Sequence, residues 1–185
     1  MHADLAHPTR SAPRKAPRWR RWYLTGLTGL AAYSTGLGWQ AQAVSYPLYR
    51  SVTPDNFAAY HLDYNGAIPL PVIVPGFATF LAAVAFWWTR PAEVTRRKAA
   101  IVSGVGLVAL GTTVAWAIPM HNRLDRIGQS AATIDSLLRA NLVRSLALTA
   151  ATIVLLHELA RDARPGPVPE PEAGDAPLAR SESYR

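Results

Sequence analysis

Residues 99–120 read AAIVSGVGLVALGTTVAWAIPM, a run without one charged side chain. About 20 apolar residues of helix cross the ~30 Å hydrocarbon layer of a bilayer, so this run is long enough to span. Three more runs share its character: Trp22 to about Val44, Ala67–Trp88 and Leu138–Ala160. The last admits Arg139, Arg144 and Glu158. In hydrocarbon, backbone groups must bond within their own segment, so each run is expected to be a helix. Strands would be shorter and alternate in polarity, and neither is seen. The expected fold is all-α: a bundle of four transmembrane helices.

The rest of the chain is different in kind. Residues 1–21 are basic and Pro-containing, and residues 161–185 are Pro-rich and charged. Both read as disordered ends flanking a membrane domain over 22–160. The net charge of +7 comes from Lys and Arg beside apolar runs, which excludes a nucleic-acid groove. The chain has no cysteine, which excludes disulfides, thiolate catalysis and Cys-ligated metal centres. Ala41-Gln42-Ala43 after a basic and an apolar stretch resembles a signal-peptide cleavage site. The run is long for a signal, however, and carries Trp22, Tyr23 and Tyr33; an uncleaved span is the preferred reading.

Charge also orients the bundle. Residues 1–21, the 90–98 linker, Arg161 and Arg164 hold twelve Lys/Arg, against four (Arg50, Arg123, Arg126 and, at the edge of the last run, Arg139) in or beside the other two connections. Positive residues stay in the cytoplasm. Both termini are therefore expected inside, with 45–66 and 121–138 outside, in a multi-pass protein of the plasma membrane. Trp19, Trp22, Trp87 and Trp88 fall at the inner interface of this arrangement, and Trp39, Tyr46, Tyr49 and Trp116 at the outer one. Gly26, Gly29, Gly36, Gly38, Gly104, Gly106 and Gly111 suit close helix packing. Pro69, Pro71 and Pro75 predict an irregular start to the second helix.

Polar residues collect at the outer end. Arg144 is the sharpest of them. It sits about six residues into the fourth run, roughly 9 Å along the helix. Arginine at that depth costs about 2–3 kcal/mol, so it should face the interior beside a partner. Asn141, three residues earlier, shares its face. His121 and Asp125 share a face if the third helix continues past Pro119, and His61 joins them from the first connection. Such a set can act as a base with its orienter. It can also serve as a non-haem metal site of His61, His121 and Asp125. His157 lies roughly 24 Å from Asn141 along the helix and cannot join them.

Two segments resemble a known family: YPLYRSVTPDNFAAYHLDYNGAIPLPVIVPG (46–76) and IPMHNRLDRIGQSAATIDSLLRANLVRSLALTA (118–150). Phe57 with Tyr60-His61, the Pro119-x-His121-Asn122-x-Leu124 turn and Asn141-x-x-Arg144 carry the likeness. The chain resembles the anthrone-oxygenase-like family of small four-helix membrane proteins over about residues 22–160. That resemblance implies oxidation of a lipophilic polycyclic phenol by dioxygen, in secondary metabolism, with no organic cofactor and a metal optional. His61 or His121 would take a proton, and Asn141 and Arg144 would stabilise the enolate. Tyr60, Tyr64 and Asn122 would line the substrate, with Trp39 and Trp116 as flat walls. The alternative is a non-catalytic membrane protein acting as partner subunit or carrier.

Overall fold

A computed structural model describes residues 17–164, and the described residues contain helices and no strand. Seven α-helices follow one another: α1 Arg18–Gln40, α2 Tyr46–Leu48, α3 Pro54–Ala67, α4 Val74–Thr89, α5 Arg96–Thr112, α6 Ile118–Ile127 and α7 Ala131–Asp162. The disordered ends expected from composition lie almost wholly outside the described residues. At their inner edges the helices reach further than expected, because α1 already begins at Arg18 and α7 runs to Asp162.

Four long helices form a closed ring. α1 packs on α4 and α7, and α5 packs on the same two. Three continuous helices are long and apolar enough to cross a membrane: Pro69–Thr89, Arg96–Ile127 and Ala131–Asp162. α1 is of similar length but is diluted by Gly, Thr, Ser and Gln, and is not among them. The outward faces are apolar, with Leu107 58 % and Ile153 62 % exposed. An aqueous bundle turns such residues inward; a lipid-facing one has no reason to.

Three helix junctions are widened into π-helical turns, at Ala41–Ser45, Pro69–Ile73 and Thr113–Ala117. Their physical cause is the same each time. A proline sits two residues beyond each turn: Pro47, Pro75 and Pro119. Its ring collides with the carbonyl four residues back and cannot donate to it. That carbonyl lies in the middle of each π turn, and the helix relieves the clash by shifting to i→i+5 bonding. Tyr46 N–H accordingly donates to Ala41 O, Val74 N–H to Pro69 O and Ile118 N–H to Thr113 O.

The two expected connections are more ordered than their polarity suggests. α3 starts with Pro54 in its first turn and Asp55 beside it, a favourable N-terminus. It buries Phe57 and His61, one turn apart. They join a cluster of Tyr49, Leu124, Ile134 and Leu137 that caps one end of the ring. The second connection shrinks to residues 128–130, because helical spacing continues on both sides of it. Gly128 at φ 75° ends α6, a conformation that favours glycine. Ser130 then caps α7 by accepting from Thr133 N–H. Gln129 donates to the carbonyls of Tyr49 (2.9 Å) and Val52 (2.6 Å), tying this turn to the first connection.

The opposite end is closed by Leu24, Leu27, Phe86, Val102 and Leu155. Beside them the buried Glu158 pairs with Lys98 of α5 and with Arg161. Of the seven glycines expected at helix contacts, only Gly38 and Gly106 have a close neighbour; at the other five a Cβ would meet nothing within 4 Å.

Candidate functional site

Between the ring and its cap lies a cavity of about 150 Å³, partly open. Each π turn contributes to its wall: Ala41 from the first, Val72 and Ile73 from the second, Thr113 and Ala117 from the third. π turns offset the register of the residues that follow, which is why they concentrate at functional sites. Leu37, Phe77, Phe80 and Leu148 supply apolar surface, and the polar lining is chiefly Ser34, Tyr46, Tyr64, Thr113, His121 and Arg144.

Arg144 faces this cavity rather than lipid. Its Nη1 donates to Thr113 Oγ1 at 3.1 Å and its Nη2 to Asn141 Oδ1 at 2.6 Å. Both acceptors are neutral. Among the described residues no carboxylate forms an ion pair with Arg144. A guanidinium has five N–H donors, so donors remain for an anion in the cavity. Asn141 is fully buried and off the cavity wall. Its amide donates to Gly38 O and Gln42 Oε1, both at 2.9 Å. It therefore holds the guanidinium in place and does not touch the cavity contents.

His121 lines the cavity, whereas His61 stands behind it, 0 % exposed. His121 Nδ1 is 3.1 Å from His61 Nε2, and His61 Nδ1 is 2.6 Å from Asp125 Oδ1. The two rings lie nearly parallel, 18° apart, with centroids 5.3 Å apart. α6 does continue past Pro119, so His121 and Asp125 share a helix, but Asp125 orients His61 and reaches His121 only through it. On the cavity side, His121 Nε2 is 3.4 Å from the Tyr46 hydroxyl. Asn65 steadies the carboxylate, donating to Asp125 Oδ1 at 3.3 Å. Burial raises the phenol pKa of Tyr49 and of Tyr64, so both stay neutral hydrogen-bonding groups.

The metal reading loses its geometry. His61 spends both ring nitrogens on Asp125 and His121, so the three candidates lie in a line and surround no point. No group of three or more His, Asp or Glu among the described residues is arranged to hold a metal ion.

The walls also need correction. Tyr64 lines the cavity, but Tyr60, Asn122, Trp39 and Trp116 do not. Tyr60 and Asn122 are exposed. Trp39 turns outward and donates to Thr149 Oγ1 at 3.0 Å, while its neighbours Gly38 and Leu37 face in. Trp116 donates to Ser136 Oγ at 2.8 Å against the capping cluster. Phe77 and Phe80 take the place expected of the tryptophans. Tyr46 and Thr113 were not singled out as site residues; the prolines that create the π turns are the signal that points to them. His157 is exposed and remote, as its distance along α7 requires.

No family model, curated protein or solved structure matches the chain.

Proposed function

We propose that the protein crosses the plasma membrane four times, with both termini in the cytoplasm, and that its cavity oxidises a lipophilic phenolic or enolisable aromatic compound with dioxygen. The observation that carries this reading is that His121 and Arg144 share one apolar cavity. A base and a cation with no carboxylate partner among the described residues are what removal of a weakly acidic proton needs. The family resemblance supplies the reaction. His121 takes a proton from the activated C–H, and Arg144 holds the enolate oxygen. The carbanion gives its electron pair to dioxygen, forming a C–O bond and a peroxide. The peroxide takes the proton back and loses water, leaving a new carbonyl. One dioxygen is consumed and one water released, with no net proton.

A space of about 150 Å³ encloses roughly one aromatic ring. On this reading the reacting ring sits inside, and the remaining rings of a polycycle extend through the opening.

Purified protein in nanodiscs, given a panel of anthrones, is expected to consume dioxygen and form the matching anthraquinone in equal amounts. Saturable binding of the anthrone without oxygen uptake would replace this reading with a carrier.

Topology has its own test. The chain has no cysteine, so single introduced cysteines report alone. Ser51→Cys is expected to react with an impermeant maleimide on intact cells, and Ala92→Cys only after lysis. Both positions are exposed, and neither caps a helix, unlike Ser130 and Thr95. Labelling of Ala92→Cys from outside would reverse the orientation.

A further inference from the structure

We infer that His61 and Asp125 form a proton reservoir for His121: the proton taken from substrate is held on His61 against the Asp125 carboxylate until the peroxide reclaims it. The inference rests on the oxidation proposed above and assigns Asp125 and His61 as positioning residues for it.

Charge dictates the direction of the chain. An ionised carboxylate only accepts hydrogen bonds. Asp125 Oδ1, 2.6 Å from His61 Nδ1, therefore requires the proton on that nitrogen. His61 Nε2 is then bare and accepts from His121 Nδ1–H at 3.1 Å. This leaves His121 Nε2 bare, on the side of the cavity-lining Tyr46 hydroxyl. A carboxylate two hydrogen bonds away thus sets the basic nitrogen toward the substrate.

The reason for a second histidine is electrostatic. A proton left on His121 would leave two cations, the imidazolium and Arg144, facing a single enolate in one cavity, and Arg144 has no carboxylate partner among the described residues. Shifting the Nδ1 proton of His121 to His61 Nε2 moves the positive charge out of the cavity and beside an anion. Burial alone would disfavour a charge there; what holds it is the carboxylate, whose attraction is weakly screened on the fully buried His61 side although Asp125 itself is partly exposed. The other titratable or charged groups facing the pair are Tyr46, Tyr49 and Tyr64, which have no positive form, and Arg144. The overall reaction releases no proton, so the pair needs to store one and return it; no exit path is required.

Two measurements test this. The first needs no substrate: 15N spectra of histidine-labelled protein in nanodiscs. His61 and His121 are both expected to carry their proton on Nδ1. Asp125→Ala is expected to move His121 to a mixture with Nε2–H, and Asp125→Glu to restore most of the original state. A His121 protonated on Nε2 in the unaltered protein overturns the reservoir.

The second is the pH profile of oxygen uptake with an anthrone. Asp125→Ala is expected to lower kcat by ~100-fold with little change in KM. It should also move the acid limb about one pH unit lower, because the stored charge has lost its anion. An unchanged limb and unchanged tautomers overturn the reservoir while leaving the oxidation intact. Absence of oxygen uptake in the unaltered protein, with both histidines on Nδ1, sinks the oxidation and supports the resting polarity of the chain.

Discussion

Arg144→Ala is expected to reduce anthrone-dependent oxygen uptake by ~100-fold or more, the scale seen when a preorganised donor to a developing oxyanion is removed. The side chain is held at its two guanidinium ends by Thr113 and Asn141, so it costs no reorganisation when charge develops. It sits in a cavity walled by Phe77, Phe80 and Leu148, where a field is weakly screened. The loss should appear in kcat, because the charge that Arg144 meets exists only once the proton has left. The helices should survive. Asn141 keeps its bonds to Gly38 and Gln42, and truncation relieves the bundle of a costly, partly buried cation. Helical content by circular dichroism should therefore be unchanged, and His157→Ala, on an exposed and distant side chain, should leave activity unchanged. Full activity in Arg144→Ala would show that the cation has no part in the chemistry.

The largest effect on stability is expected at Gly106. A Cβ there would lie 2.8 Å from Phe80 O, 2.9 Å from Val84 N and 2.9 Å from Ala83 Cβ. Two of these contacts are backbone, which cannot rotate aside, so Gly106→Ala must push α5 away from α4. Overpacking of this kind costs about 1–3 kcal/mol. The same change at Gly104, where a Cβ meets nothing within 4 Å, should be neutral or stabilise by up to about 1 kcal/mol through helix propensity. Thermal unfolding of the two variants in one detergent separates them. Equal midpoints would mean that the α4–α5 contact is loose enough to absorb a methyl group.

The contrast between these two glycines shows where reading the chain runs out. Both lie in the same apolar run, and small residues there announce close packing in general. Which of them meets a neighbour depends on the rotation of α5 against α4, and no local pattern carries that. The tryptophans behave the same way. Trp39 and Trp116 are legible as interfacial aromatics near the site, yet one residue of helix is a turn of 100°. Gly38 and Ala117 face the cavity, and the adjacent tryptophans do not. Arg144 was more legible, because a guanidinium one to two turns into an apolar run has few places to go.

Helical class, the positions of the apolar runs and the inward placement of Arg144 with Asn141 beside it follow from the chain alone. Each rests on local chemistry: backbone groups that must bond within their segment, and a charge that must find polar company. Of the π turns, only the irregular start of the second run at Pro69, Pro71 and Pro75 was legible. That Pro47 and Pro119 sit inside continuing helices, where a blocked carbonyl is absorbed as a π turn, is decided by the fold, because an interior proline can equally end or kink a helix. The pairing of His61 with Asp125 and with His121 was decided only by tertiary structure. It requires α3 to fold over the end of the ring and α6 to continue past Pro119 until their faces meet. Residues some 60 positions apart become hydrogen-bond partners there, and their order along the chain from carboxylate to cavity is a property of that contact alone.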